Sequence, residues 1–259
     1  MRMIELVDVE PTPCSWVRYL NASPRGRSEV SRLPVHLARA HGLPRDLDAL
    51  VATSDLQGVV PDPHTRASTL LGVAVAEHLV ALADDGVIPR AERTGVVLAG
   101  DLYSVPEANR RGGFGDVASV WDAFGASFAW VVGVAGNHDD VTRVREGALD
   151  GDHVVLDGLR IGGVGRIAGD PAKLGRRDER EQHARIELLA ETGLDVLVLH
   201  EGPCGDRAQP GADAIRALVE RHRVPLTICG HVHWDEPLAR HRGGQVLNVD
   251  TRAIVIVPA

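Results

Sequence analysis

The chain has 259 residues, of which 44% are apolar and 3% aromatic, and its formal net charge at pH 7 is −8. This length suffices to bury a substantial core, the acidic balance disfavours a broad nucleic-acid-binding surface, and no apolar run reaches the ~18 residues needed to cross a membrane. The three cysteines have neither Cys-x-x-Cys nor disulfide-scaffold spacing, and the early acidic residues and prolines do not fit a signal peptide, so we expect a cytoplasmic protein.

Short β-like runs alternate with helical patterns along the chain, which is typical of a layered α/β domain. In chain order, the predicted strands are Ala49–Thr53, Gly95–Leu98, Trp130–Val134, Val154–Leu156, Arg160–Val164, Asp195–Leu199, Pro225–Cys229, Gln245–Asn248 and Ala253–Val257. The predicted helices are Arg66–Asp84, Asp116–Phe128, Arg180–Thr192 and Ala212–His222. The first of these helices has the clearest apolar repeat, and Gly86 follows it as a stop signal.

Two segments do not follow this alternation. Residues 1–46 mix Pro, Arg and Ser with scattered apolar side chains such as Trp16 and Val35. We predict that this segment is an N-terminal appendage packed on a main domain of residues 47–259. Residues 102–115 are predicted to form an irregular loop, and long loops in compact domains are often functional.

Side chains with ligand or acid chemistry follow five of the predicted strands. In chain order they are Asp55 and Gln57, then Asp101, then Asn137 with His138 and Asp139, then His200, and finally His231 with His233. Because sites in open α/β sheets form outside the carboxyl ends of strands, we expect these side chains at one sheet edge. Asn offers an amide oxygen to a metal, His can carry a proton, and Asp can orient a His.

The ordered set resembles the motifs of the calcineurin-like metallophosphoesterase family, also called purple-acid-phosphatase-like. The family pattern is Asp-x-His, Gly-Asp, Gly-Asn-His-Asp/Glu, a lone His and Gly-His-x-His. The corresponding pieces here are Asp55-Leu56-Gln57, Gly100-Asp101, Gly136-Asn137-His138-Asp139, His200 and Gly230-His231-Val232-His233. The resemblance covers about residues 49–250 and implies two packed, mostly mixed β-sheets flanked by helices, an αββα sandwich.

The resemblance also implies a role for each motif residue. Asp101 would bridge two divalent ions. One ion would be completed by Asp55, Gln57 and His233, and the other by Asn137, His200 and His231. His138 would protonate the leaving oxygen, and Asp139 would hold its ring. The implied reaction is hydrolysis of a phosphate mono- or diester by a metal-bound hydroxide, without a covalent enzyme intermediate.

Gln57 stands where the family usually has a histidine. A glutamine offers a neutral oxygen that is a harder and weaker ligand than imidazole. Either Gln57 forms a looser site that favours Mn²⁺ or Mg²⁺, or it does not ligate and a water takes its place. The predicted cofactors are two divalent ions, with Mn²⁺ preferred and Fe, Zn or Mg as alternatives.

Arg110 and Arg111 follow Asp101 closely enough to reach the same rim, where guanidinium groups could bind a substrate phosphate. The alternative is a solvated surface pair. We predict a small phosphorylated substrate and no membrane partner, and the acidic surface disfavours long nucleic acid. Two other functions remain open: a nuclease of the same fold, which would need a basic track, and a catalytically silent protein-binding scaffold, which should lack several ligands.

Overall fold

A computed structural model describes residues 4–23, 26–61, 67–110 and 112–259. The strands of its first half are β1 (Glu5–Val9), β2 (Ser15–Ala22), β3 (Ser28–His41), β4 (Ala49–Ser54), β5 (Val59–Pro61), β6 (Ser68–Leu70), β7 (Thr94–Leu98), β8 (Gly115–Asp116) and β9 (Trp130–Val134). The strands of its second half are β10 (Asp139–Asp140), β11 (Ala148–Leu149), β12 (Asp152–Leu156), β13 (Leu159–Val164), β14 (Ile167–Ala168), β15 (Arg176–Arg177), β16 (Val196–Glu201), β17 (Leu226–Gly230), β18 (Leu238–His241), β19 (Gly244–Asn248) and β20 (Arg252–Pro258). The α-helices are α1 (Leu71–Asp84), α2 (Ala118–Gly125), α3 (Glu179–Ala190) and α4 (Asp213–Arg221). Within these described ranges, no helix is long and apolar enough to cross a bilayer.

Two large sheets of mixed strand direction carry the fold. The first has the order β11-β9-β7-β4-β20-β3-β2-β5-β6, with β1 paired to β3, and the second has the order β12-β13-β16-β17-β19-β18. The neighbours β4, β7 and β9 are parallel in the first sheet, as are β13, β16, β17 and β19 in the second. Parallel neighbours end at the same edge of a sheet, so the segments that follow them lie close together.

Three apolar layers hold the sheets and helices together. The middle layer packs one face of each large sheet against the other, with Leu50 and Val97 from the first sheet and Val198 and Ile228 from the second. The outer layers pack α1 and α2 on the first sheet and α3 and α4 on the second. The predicted αββα architecture, with two mixed sheets flanked by helices, is confirmed.

The nine predicted strands form within two residues of their expected ends. The central strands among them are near-continuous runs of Val, Leu, Ile and Ala because both faces are covered, and every residue of β4, for example, is buried. The predicted start of the first helix is wrong. Residues 68–70 form β6, which pairs with β5, and the helix begins at Leu71, whose N–H donates to the Gly58 carbonyl.

Residues 5–41 form three strands where the sequence patterns predict none. β3 pairs in parallel with β20 over six residues and antiparallel with β2 over eight. These strands are half solvated and carry charged residues on the exposed face, so their apolar alternation is weak. Val35 is fully buried, whereas Trp16 is 46% exposed.

Candidate metal centre

Three of the predicted site residues, each after a strand end, adopt left-handed backbone conformations. Asp55 directly follows β4, Asp101 follows β7 after two residues, and His231 directly follows β17. Their φ angles are +53°, +56° and +69°. Such conformations cost free energy in non-glycine residues and cluster at functional sites. All three side chains line one cavity.

This cavity has a volume of about 340 Å³ and opens at the shared edge of the two sheets. Of the predicted site residues, it brings together Asp55, Gln57, Asp101, Asn137, His138, His231 and, at its exposed rim, Arg110. Its other described lining residues are Tyr19, Asn21, Tyr103, Ser104, Gly112, Asp250 and Thr251. Arg111 lies outside the described residues.

Asp101 is the most central of these groups. Its side chain is 5% exposed, and one carboxylate oxygen, Oδ1, accepts a hydrogen bond from the His138 backbone N–H at 3.0 Å. The other oxygen, Oδ2, accepts from Nε2 of Gln57 at 3.1 Å. A β-carbon at Gly136 would lie 2.0 Å from Oδ1, so only glycine permits this approach. Gln57 therefore presents its amide nitrogen, not its oxygen, to Asp101.

His200 lies fully buried beneath the cavity with both ring nitrogens facing oxygens. Nδ1 donates to the Ala99 carbonyl at 2.8 Å, and Nε2 lies 3.2 Å from Oδ1 of Asn137 and 3.3 Å from Oδ1 of Asp101. Burial alone would lower the pKa of His200, but the carboxylates of Asp101 and Asp55 outweigh burial and raise it to about 10. The carboxylates around His200 therefore stabilise a positive charge at the position of its ring.

Asp101, His200 and His231 each offer one ligand atom, and these atoms lie within 4.8 Å of one another. Burial, followed by the nearby His200, lowers the pKa of His231 to about 4, so its ring is neutral and keeps a free lone pair. Carboxylate and imidazole groups are the donors that divalent transition ions prefer, and the carbonyl bond at Nδ1 of His200 directs its Nε2 inward. The donor set fits a divalent cation.

His138 lines the cavity and is held by the loop of residues 102–115. Its Nδ1 donates to the Gly113 carbonyl at 2.5 Å, and a β-carbon at Gly112 would lie 3.1 Å from its Cε1. Nε2 lies 3.9 Å from Oδ2 of Asp101, and the side chain is 26% exposed. The loop thus fixes one face and one nitrogen of the ring and leaves Nε2 directed toward the cavity.

The hydrogen bonds of Asp139 go to backbone groups and not to the His138 ring. Its buried carboxylate accepts the backbone N–H groups of Gly136 at 2.9 Å, Leu102 at 2.8 Å and Tyr103 at 3.0 Å. Burial raises the pKa of Asp139 to about 6. The His138 ring is held by the Gly113 carbonyl instead, so Asp139 joins the segments that follow β7 and β9 and does not orient the proton carrier.

We expect Asp139→Ala to destabilise the fold by ~3 kcal/mol, because it leaves three backbone N–H groups without their acceptor, two of them buried and one partly buried. Thermal unfolding in the presence of a chelator should show a melting temperature lower by roughly 6–12 °C. Asp152→Ala is the matched control, since Asp152 is exposed at the start of β12. An unchanged melting temperature with a lower kcat would instead restore the predicted orienting role.

His233 is the predicted ligand that the structure does not bring into the cavity. Its side chain is 57% exposed, and its Nδ1 donates to Oδ2 of Asp250 at 2.8 Å. Asp250 was missed by the sequence analysis although it follows the predicted strand Gln245–Asn248, the same signal that identified the other residues. Tyr19 and Asn21 were also missed, and they lie on β2, for which the sequence carries no strand signal.

A family model and solved structures are similar to this chain. The family model described as calcineurin-like phosphoesterase matches residues 50–235. The solved structure of TT1561 from Thermus thermophilus is similar in fold, with a TM-score of 0.53, 17% identity, and coverage of 79% of this chain and 90% of that chain. Purple acid phosphatase PPD1 from yellow lupin (Lupinus luteus) matches with a TM-score of 0.44 and 13% identity, over 96% of this chain and 59% of that chain. Among curated proteins, no significant match is found.

Proposed function

Because the chain belongs to the calcineurin-like phosphoesterase family, whose members are metal-dependent phosphoester hydrolases, we propose that it hydrolyses phosphate mono- or diesters of a small molecule. The observation that carries the proposal is the convergence of Asp101, His200 and His231 within 4.8 Å at a cavity that His138 also lines. A structural role would not require two histidines and a buried carboxylate to meet at a solvent-accessible cavity.

The proposed cofactors are two divalent ions, with Mn²⁺ preferred. Asp101 would contact both ions, and Asn137, His200 and His231 would hold one of them. Asp55 would hold the other ion. Gln57, whose side chain donates a hydrogen bond to Asp101, would lie next to it. When bound, the ions would supply Lewis-acid stabilisation of the phosphate and a hydroxide nucleophile.

His138 is the proposed proton donor to the leaving oxygen. The Gly113 carbonyl accepts the proton of Nδ1, so a second proton on Nε2 is the one available for transfer into the cavity. Loop backbone atoms at Gly112 and Gly113 hold the ring, while the backbone N–H of His138 donates to Asp101. Imidazole side chains exchange protons near neutral pH, which suits proton donation to a leaving alkoxide.

The cavity supports a small substrate. Its volume of about 340 Å³ lies at the lower end of the usual range for small-molecule sites. Apart from histidines, Arg110 is the basic residue among its described lining residues, so this part of the chain does not form the basic track that a nuclease would need. Arg110 would bind the phosphate or an acidic group of the leaving alcohol. The proposed location is the cytoplasm, which agrees with three free cysteines.

A hydrolysis assay tests the proposal. Protein saturated with Mn²⁺ should hydrolyse para-nitrophenyl phosphate, bis(para-nitrophenyl) phosphate or para-nitrophenyl phenylphosphonate, and a chelator should stop the reaction. A metabolite library then distinguishes monoesters from diesters. Protein that is inert with every divalent ion and retains no metal after purification would contradict the proposed function.

Gln57→His tests whether Gln57 tunes the metal site. An imidazole is a softer ligand than an amide oxygen, so we expect the preference of one site for Zn²⁺ over Mn²⁺ to rise by about tenfold. Competitive dialysis followed by metal analysis measures this preference. Gln57→Ala is the control, because it removes the hydrogen bond to Asp101 without adding a ligand. An unchanged stoichiometry and preference in Gln57→His would refute the tuning hypothesis.

A further inference from the structure

The cavity at the candidate metal centre has an unusually polar lining for a small-molecule site. Except for Gly112, every described residue that lines it carries a polar side chain, and none of these residues is aliphatic. Pockets for small molecules are usually lined mainly by apolar side chains, with a few polar groups that fix the orientation of the ligand. The candidate metal ligands account for only part of the lining. The remaining part therefore indicates which kind of alcohol carries the phosphate.

One group of these remaining residues belongs to the loop of residues 102–115. Tyr103, Ser104 and Arg110 line the cavity from this loop, which also holds the His138 ring. In the described chain, no residue forms a hydrogen bond with the hydroxyl groups of Tyr103 and Ser104 or pairs with the guanidinium of Arg110. These polar groups are therefore available to a bound molecule.

The other group comes from β2. Tyr19 and Asn21 are two residues apart on this strand, so their side chains point to the same face, and both line the cavity. Tyr19 is 5% exposed, and a β-carbon at Gly58 would lie 2.2 Å from its ring. The turn after β2 reaches the loop, since a β-carbon at Gly26 would lie 3.7 Å from the Asn109 carbonyl oxygen. Packing against these neighbours thus holds β2 in place as one wall of the cavity.

The side chain of Asn21 is oriented by the backbone of its own strand. Its Oδ1 accepts a hydrogen bond from the N–H of Ala22 at 2.7 Å, so the amide nitrogen Nδ2 is the group left for other contacts. Within the described ranges, no residue accepts a hydrogen bond from this nitrogen. β2 also precedes residues 50–235, which the family model matches. A substrate contact of Asn21 would therefore lie outside the part of the chain that matches the family.

The position of His138 indicates where the leaving alcohol lies. In the proposed reaction, the phosphate lies at the metal centre, and His138 donates a proton to the oxygen that leaves. Since the Gly113 carbonyl holds this ring, the leaving oxygen lies on the side of the cavity that is formed by the loop. A cavity of about 340 Å³ is small enough for the attached alcohol to reach Asn21 and Ser104 from there.

We propose that the substrate is a phosphate ester of a hydroxyl-rich alcohol, such as a sugar or a polyol, and that Asn21 and Ser104 bind its hydroxyl groups. The inference rests on the proposed hydrolysis of phosphate esters and narrows its substrate class. A hydroxyl group both donates and accepts, so it can accept from Nδ2 of Asn21 and can pair in either direction with the Ser104 hydroxyl. An aliphatic alcohol would displace water from both side chains without replacing its hydrogen bonds, which disfavours its binding.

Matched pairs of esters test the substrate class. Phosphate esters of glucose, ribose and glycerol at a primary hydroxyl group are each compared with an ester of similar shape that has no free hydroxyl group, namely cyclohexylmethyl, cyclopentylmethyl and propyl phosphate. Methyl diesters of the same alcohols are used if the wild type hydrolyses only diesters. In the presence of Mn²⁺, we expect kcat/KM for at least one hydroxyl-rich ester to exceed that of its partner by at least about 10-fold, because the partner lacks two or more hydrogen bonds.

Two variants test the residues. Asn21→Ala and Ser104→Ala should each lower this selectivity by about 3–10-fold, the effect of one neutral hydrogen bond. Asn109→Ala is the matched control, because Asn109 is exposed and does not line the cavity. Thermal unfolding verifies that each variant folds. Calorimetric binding of phosphonate analogues, in which a methylene group replaces the ester oxygen, measures recognition without hydrolysis and should show the same losses.

The outcomes distinguish this inference from the proposed function. If the wild type hydrolyses para-nitrophenyl esters but uses every hydroxyl-free ester as well as its hydroxyl-rich partner, the substrate class is wrong and the proposed function stands. If the selectivity is present but neither Asn21→Ala nor Ser104→Ala lowers it, the assignment of these two residues is wrong. A wild type that hydrolyses none of the esters overturns both the proposed function and the inference.

Discussion

Asp101→Asn is expected to abolish phosphoester hydrolysis and to weaken binding of both metal ions at once. Asp101 is the carboxylate on which Gln57, His138 and His200 converge. The substitution removes the charge and directs an amide N–H group toward either His200 or Gln57. Because metal ions contribute several kcal/mol to transition-state stabilisation, we expect hydrolysis to fall by at least about 10³-fold.

Measurement of kcat and of bound Mn²⁺ in the same preparation checks this prediction. Asp122→Asn is the matched control, since Asp122 is exposed on α2 and should change neither quantity. A variant that loses activity but retains two tightly bound ions would show that Asp101 does not bridge the metals. A variant that retains activity would remove Asp101 from the site altogether.

His138→Ala is expected to lower kcat by about 10²–10⁴-fold for a phosphate ester with an alkyl leaving group. An alkoxide needs a proton as it leaves, whereas para-nitrophenolate is a weak base and departs without one. The same variant should therefore lose much less activity on para-nitrophenyl phosphate. Metal content should be unchanged, because His138 is not a proposed ligand and its Nδ1 is bound to the Gly113 carbonyl.

Comparison of the two substrates in one variant distinguishes proton donation from a structural role. His153→Ala is the control, since His153 is exposed on β12 and remote from the motifs. Equal losses on both substrates would indicate that His138 binds the phosphate or supports the fold. Loss of a metal ion would indicate that it is a ligand.

The sequence predicts the central fold because burial on both faces leaves a clear signal. β4, β7, β9, β16 and β17 are nearly continuous apolar runs, and their ends were located to within two residues. β1 to β3 were not predicted, because half-solvated strands alternate weakly and charged residues interrupt them. β6 was predicted to be helical because the apolar repeat of α1 starts at Leu70, next to the first residue of the helix. The pairing of β6 with β5 leaves no mark on that repeat.

The sequence predicts those site residues that follow a strand end, because function requires side chains at that place. Asp55, Asp101 and His231 lie in one cavity for that reason. What the sequence did not reveal is how neighbouring groups use their hydrogen bonds. Asp139 was assigned to the His138 ring, but three backbone N–H groups compete for its carboxylate. The direction of a side chain depends on such contacts, which sequence order does not specify.

The same limitation explains His233 and Asp250. The motif Gly230-His231-Val232-His233 places two histidines after β17, and only the first enters the cavity. The second pairs with Asp250, which arrives from the end of β19, 17 residues further along the chain. A pairing between two strand ends is a tertiary contact, so it became visible only in the structure.

A crystal structure of protein grown with Mn²⁺, measured at a wavelength where manganese scatters anomalously, tests the central claim most directly. We expect two anomalous peaks about 3.5–4 Å apart, the spacing of two-metal hydrolytic sites. Both should contact Asp101, one should contact His200 and His231, and the other should contact Asp55. The absence of anomalous density at Asp101, or a single ion bound elsewhere, would contradict the account.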